Sequence, residues 1–290
     1  MHAETLEQAI EWQNSTGFGL TGGIHTIDRD ETAFWRERVE VGNAYVERGI
    51  TGAIVRRQSF GGWKNSAIGG GAKAGGPNYV AQQGVWTEGD LSELASGTLP
   101  TEITQLLREI RGLGSPVLSK EDHVWLRRAA ESDAHVWATE FGIEHDKTAL
   151  VVESNVFRYK PLLDPLRVRV NQGANPRDLL RLYLASAITG TELDVSATRE
   201  VAQAWGELGE RIRISNDLEF AAELSTAQSA RIRALGDVPE EFYEAAAQSG
   251  SVILDQDVLP DGRRELLPLL LEQAISTTEH RFGYIHHLTP

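Results

Sequence analysis

Hydrophobic and polar positions along the first 48 residues switch between helical and extended spacing. Thr5 with Gln8 makes a capping-box pattern, and Leu6, Ala9 and Ile10 predict a short apolar helix face that stops near Gly17. Gly19 to Thr26 reads as a strand whose glycines imply close backbone approach. Asp28 with Glu31 predicts the start of a second helix, carrying Ala33, Phe34 and Val41 and ending at Gly42. Asn43 to Arg48 alternates around Tyr45 and Val46 and predicts another strand.

The texture then changes. Seven glycines between Gly61 and Gly76, followed by Pro77, predict a loop with little regular structure. Residues 91 to 145 read as polar helices punctuated by Pro100 and Pro116. From Thr148 onward short apolar runs alternate with helical patterns. Strands are expected at Ala149–Tyr159, Leu166–Val170, Leu193–Ser196, Arg211–Ser215, Ile232–Leu235 and Val252–Asp255. The clearest helix has Asn175 as cap and Pro176 in its first turn, and stops at Gly190. A last helix is expected over Arg264–His280, with a stripe of Leu267, Leu270, Leu271, Ala274, Ile275 and Thr278. Such alternation implies an α/β fold with a mainly parallel sheet covered on both faces.

Charge narrows the partners. The 290 residues carry 28 Lys and Arg against 42 Asp and Glu, a net charge of −14. That balance argues against nucleic acid, whose phosphates need concentrated basic side chains, and against an anionic membrane surface. Cysteine is absent, which removes disulfides, thiolate metal sites and cysteine nucleophiles from this chain. The most apolar stretch, Leu266 to Leu271, is interrupted by Pro268 and too short to span a bilayer, so a soluble, cytoplasmic protein is expected.

Few patterns carry chemistry by themselves. Gly69 to Ala74 satisfies GxGxxA, but Gly75-Gly76-Pro77 follows where a phosphate-binding helix would have to begin. Three Arg-x-Arg pairs, Arg167/Arg169, Arg211/Arg213 and Arg231/Arg233, each share a strand face and read as solvated strand ends paired with carboxylates. His286-His287 lacks metal spacing, and Glu279-His280-Arg281 reads as a charged helix C-terminus. Catalytic, cofactor-binding and metal residues are therefore all expected to be none, because spacing alone pairs no nucleophile with a base.

One region is more specific. Thr51-Gly52-Ala53-Ile54-Val55-Arg56-Arg57-Gln58-Ser59-Phe60-Gly61-Gly62-Trp63-Lys64, continuing to Lys73-Ala74-Gly75-Gly76-Pro77-Asn78-Tyr79, closely resembles the end of the L-glutamate γ-semialdehyde (1-pyrroline-5-carboxylate) dehydrogenase domain of bifunctional proline utilization A proteins. Trp12-Gln13-Asn14 through Ile24-His25 resembles the last helix and strand of an aldehyde dehydrogenase cofactor domain, and the match covers about residues 4 to 80. Glu153 to Pro161, Glu265 to Pro268, Glu272 to Ser276 and His280 to Gly283 resemble the C-terminal extension of long members of that family.

The resemblance implies an organisation. Residues 1–88 would close an aldehyde dehydrogenase domain, 89–146 would connect, and 147–290 would form a Rossmann-like domain of the same superfamily. It also implies a chemistry in which a cysteine thiolate attacks the aldehyde, NAD takes the hydride and water releases glutamate. NAD is then the cofactor of the full-length enzyme, with FAD in any upstream proline dehydrogenase domain, and neither is expected to bind this segment tightly. Substrate binding is carried over to Gly52 and Ala53, through backbone N–H groups to the substrate carboxylate, and to Phe60, along its aliphatic part. Ala53 stands where relatives often have Ser, Ser59 where they have Pro, and Glu47 where they have Asn.

The leading expectation is a truncated C-terminal part of such an oxidoreductase, inactive by itself. Its partners would be L-glutamate γ-semialdehyde and the missing N-terminal dehydrogenase portion, or further copies in an oligomer. A non-catalytic lid or oligomerisation module on a separately encoded dehydrogenase is the alternative, and a small-molecule binder using the C-terminal sheet a third. Leu6, Ile10 and Phe34 are expected to lack apolar partners and to favour association.

Overall fold

The computed structural model describes residues 2–67, 69–227, 230–281 and 284–285. Chain order begins with α1 (Leu6–Asn14), β1 (Phe18–Gly19), β2 (Thr21–Ile24), α2 (Arg29–Arg38), β3 (Asn43–Val46) and β4 (Trp63–Lys64). Helices α3 (Thr101–Arg111) and α4 (Lys120–Val136) follow, then β5 (Glu153–Pro161), β6 (Leu166–Val170), α5 (Pro176–Thr189), β7 (Leu193–Ala197), α6 (Arg199–Ala204) and β8 (Arg213–Ile214). The remainder is α7 (Asp217–Thr226), β9 (Arg231–Leu235), α8 (Glu240–Ser249), β10 (Val252–Leu254), α9 (Gly262–Glu265) and β11 (Leu270–Thr278). The fold is α/β, in two compact units: residues 1–84, 143–160 and 271–290 form one, and 85–142 with 161–270 form the other.

In the first unit a four-stranded sheet runs β2-β3-β11-β5, with β3 parallel to both β2 and β11. Local signals start its helices. The Thr5 side chain accepts the Gln8 N–H at the head of α1, and Asp28 accepts from Asp30 and Glu31 at the head of α2. Ile10, Trp35, Val39, Val41, Ala44, Val46 and Ile275 make the buried cluster, with Leu6, Phe34 and Val156 packed on it. Leu6, Ile10 and Phe34 thus have apolar partners, contrary to expectation: most come from residues 1 to 48 themselves, and Ile275 and Val156 arrive from far along the chain.

The expected last helix is corrected. Only Gly262–Glu265 is α-helical, and Leu270–Thr278 is strand β11, buried along almost its whole length. A strand buried on both faces loses the period of two, and its polar positions, Glu272, Gln273, Ser276 and Thr277, imitate a solvated helix face. Domain bounds also differ. Residues 85–142 and 161–270 share one unit, so the expected connector supplies α3 and α4 to the sheet domain, while 143–160 and the C-terminus belong with the first 84 residues.

The second unit is built on a five-stranded sheet of order β10-β9-β6-β7-β8, parallel at every pairing. The order reverses between β6 and β9. Right-handed crossovers then place α5 and α6 on one face and α7 and α8 on the other. Phe220, Leu224, Ile232, Phe242 and Ala245 form the core under α7 and α8. Helix α5 begins as its sequence predicts, with Asn175 accepting from Arg177 and Pro176 next, and ends at Gly190 in the left-handed region at φ +77°.

Of the Arg-x-Arg pairs, Arg211 and Arg213 are exposed and paired with Glu207, Asp194 and Glu223 as expected, whereas Arg169 and Arg233 are buried rather than solvated. Arg169 is fully buried, reaches Asp217 at 2.5 Å and the Ser215 carbonyl at 3.0 Å, and lies over the Phe220 ring. Arg233 pairs with Glu265 at 3.2 Å. Arg181 of α5 makes a bidentate pair with Asp133 of α4 at 2.7 and 2.6 Å and donates to the Leu259 carbonyl, with both side chains inaccessible. Arg181→Met leaves Asp133 buried without its cation and should cost about 3–5 kcal/mol of unfolding free energy. Adding Asp133→Leu should recover most of that loss in a denaturant titration, since a desolvated pair offers little over apolar packing.

Candidate functional site

The three residues carried over from the resemblance lie in the first unit. Gly52 and Ala53 sit on the irregular segment after β3, Gly52 exposed at φ +79° with open space where a Cβ would point. Among the described residues, neither of their N–H groups donates to another protein group. Successive backbone donors around a left-handed residue form a concavity suited to an anion. Just beyond, the Arg57 and Gln58 N–H groups both donate to the Ile54 carbonyl at 3.0 Å. The buried Gln58 amide donates to Asn155 at 3.0 Å and accepts the Ile54 N–H, which ties this loop to β5. Arg48 and Arg57 both approach Glu153, at 3.1 and 3.6 Å, so the loop base carries positive charge within a strongly acidic chain.

Phe60 presents a ring that is 38% exposed, on a backbone that is fully engaged. Its N–H and carbonyl pair with Ala74 at 2.9 and 3.0 Å. Asn43 of β3 donates to the Ser59 carbonyl at 2.9 Å and accepts the Gly61 N–H at 3.1 Å. Lys73, which is 1% exposed, donates through Nζ to the Gly61 carbonyl and to Asn43 Oδ1. The Lys73 N–H donates to Glu272 of β11 at 2.8 Å, and Asn78 donates to the other oxygen of that carboxylate at 2.6 Å. Trp63 Nε1 reaches the Glu272 carbonyl at 2.7 Å. A Cβ on Gly42 would stand 2.0 Å from the Gly61 carbonyl and 2.6 Å from Lys73 Nζ, so glycine there makes room for the amine.

Gly52, Ala53 and Phe60 came from the resemblance, whereas Asn43, Lys73, Asn78 and Glu272, which hold the segment around Phe60, were not expected from the sequence. Lys73 lay in plain view inside the glycine run; its partner Glu272 is 199 positions away. The GxGxxA stretch itself is irregular, without a following helix, and Lys73 turns inward. At the strand–turn–helix junction β6 to α5, Gly173 has φ +80°, but the Asp237 carboxylate stands 3.2 Å from where a Gly173 Cβ would be. Negative charge there opposes a pyrophosphate, so these residues do not fit a dinucleotide. Glu279 is buried and its N–H donates to the Val152 carbonyl rather than ending a helix; His286-His287 lies outside the described residues. Among the described residues no cluster of His, Cys, Asp and Glu has metal-binding geometry, and no helix is long and apolar enough to cross a membrane.

The aldehyde dehydrogenase family model matches residues 1–83, the part that carries the loop. The 1-pyrroline-5-carboxylate dehydrogenase of Bacillus cereus (strain B4264) is 47% identical over 79 residues, covering 27% of this chain and 15% of that enzyme. That of Bacillus thuringiensis (strain Al Hakam) is 46% identical over the same length and shares. The structure of proline utilization A from Corynebacterium freiburgense superposes with a TM-score of 0.77 at 51% identity, covering 98% of this chain and 25% of that one. The resemblance to that dehydrogenase region is borne out, and so is the α/β fold. This chain spans 15% of the length of the curated dehydrogenases it matches.

Burial pushes the Lys73 amine down to about 7 from an ordinary 10.5, with Glu272 pulling the other way. Between those values the unfolded chain holds the proton that the folded chain has lost, so stability from this group rises with pH and is lost as pH falls through that window. Urea midpoints from pH 7 to 10 should show the wild type gaining on Lys73→Met as pH rises; parallel curves would mean that Lys73 titrates normally.

Proposed function

We propose that this chain supplies the carboxylate-anchoring wall of an L-glutamate γ-semialdehyde dehydrogenase of the proline-catabolic type. The pair of unengaged N–H groups at Gly52 and Ala53 carries the reading, and the identity to 1-pyrroline-5-carboxylate dehydrogenases over 79 residues supports it. The substrate's α-carboxylate accepts from both groups, and the Phe60 ring covers the methylene chain. Anchoring one end of a short, flexible aldehyde at preformed donors contributes mainly to its affinity.

The oxidation itself needs groups that these residues do not offer. The chain contains no cysteine, so the nucleophile that attacks the aldehyde carbon must come from protein outside the 290 residues. NAD, when bound there, supplies the hydride acceptor, and water releases L-glutamate. FAD belongs to a proline dehydrogenase domain where one accompanies this region. A cytoplasmic oligomer completed by that dehydrogenase portion is the matching setting. Under the second reading, a non-catalytic module on a separately encoded enzyme, the same wall is delivered in trans.

Incubated alone with the semialdehyde and NAD, the chain should produce no NADH. Combined with a cysteine-bearing dehydrogenase portion it should support turnover. Within that active assembly, Gly52→Val forces a β-branched residue to φ +79° and should raise KM for the semialdehyde about ten-fold or more, leaving KM for NAD unchanged. NADH from the chain alone, or an unchanged KM in the variant, contradicts the proposal.

A further inference from the structure

We infer that Lys73 is a positioning residue for substrate, holding the Phe60 ring in place through the Gly61 carbonyl and through Asn43, which binds both peptide groups flanking Phe60. The inference rests on the proposed function of the Gly52–Phe60 loop and adds to it a residue that touches no substrate.

Five backbone polar groups around Phe60 have partners: the Ser59 carbonyl, the Phe60 N–H and carbonyl, and the Gly61 N–H and carbonyl. Asn43 takes two of them, Ala74 takes two, and Lys73 Nζ takes the fifth while also holding Asn43 Oδ1. Lys73 therefore closes a ring of hydrogen bonds from β3 through Gly61 and back through its own neighbour, Ala74. Its N–H on Glu272 fixes that ring to β11. The side chain approaches from beneath, where Gly42 and Gly61 lack the Cβ atoms that would crowd the amine and stem.

A lysine is a costly way to fill a core, since burial removes the hydration of its amine. An apolar residue would fill the same volume but leave the Gly61 carbonyl and Asn43 Oδ1 with one donor fewer. What the amine adds is a fixed height for the Phe60 backbone, with the ring left half exposed on a rigid support. Preorganisation of this kind appears in substrate affinity rather than in the chemical step.

The test uses the complete active dehydrogenase carrying this chain, with Gly52→Val as the reference variant. Lys73→Met should raise KM for L-glutamate γ-semialdehyde about ten-fold, with kcat and KM for NAD within about two-fold of wild type. Lys73→Gln, whose shorter amide keeps one donor, should recover part of that loss. Should Lys73→Met fail to fold, Asn43→Asp keeps the acceptor for Lys73 and Gly61 but loses the donor to Ser59, and should raise the same KM several-fold. A normal KM in Lys73→Met and Asn43→Asp, with only a lowered melting temperature, overturns the inference while Gly52→Val still reports the anchor. If Gly52→Val also leaves KM unchanged, the functional reading fails and this inference with it.

Discussion

A buried carboxylate on a late strand holds the first unit's loop together. Glu272 accepts from Lys73 and Asn78 while its carbonyl accepts from Trp63, so three points of the glycine-rich segment converge on one residue of β11. Removing a buried carboxylate's partners, or the carboxylate itself, leaves polar groups with no water to replace the lost bonds. Glycines at 42, 61 and 76 are the steric counterpart, since each lets backbone or lysine approach where a Cβ would crowd. Conformational freedom in this segment is thus spent on close approach, and the polar network removes it again around Phe60.

Local signals were legible in the sequence and long-range ones were not. Leu166–Val170 forms the strand its alternation predicts, and Asn175, Pro176 and Gly190 bound α5 as read, because caps and short parallel strands are decided within a few residues. Strand β11 was misread because Glu272, Gln273 and Ser276 are polar for reasons 100 or more positions away: Lys73, Arg158 and Asn155 are their partners. The same cause hid the division into units, since the chain returns to the first unit after residue 142 and again after residue 270. At the proposed site, a family resemblance nominated Gly52, Ala53 and Phe60, but no spacing rule pointed to the lysine and asparagines that hold the loop.

The two units differ in what their backbone exposes. In the first, adjacent amides at a left-handed glycine remain unengaged among the described residues. In the second, the strand-to-helix turn where a parallel sheet ordinarily meets a ligand is occupied by Asp237, and the inward cations Arg169, Arg181 and Arg233 are matched by Asp217, Asp133 and Glu265. The second unit spends its charges on internal pairs.

The most direct measurement is the amide spectrum of the 15N-labelled chain during titration with L-glutamate, which carries the same α-carboxylate as the semialdehyde. The account predicts that Gly52 and Ala53 shift along saturable curves while Gly190 and Gly250, left-handed glycines ending helices in the second unit, stay still. Unmoved Gly52 and Ala53 resonances, or shifts spread evenly over both units, would contradict it.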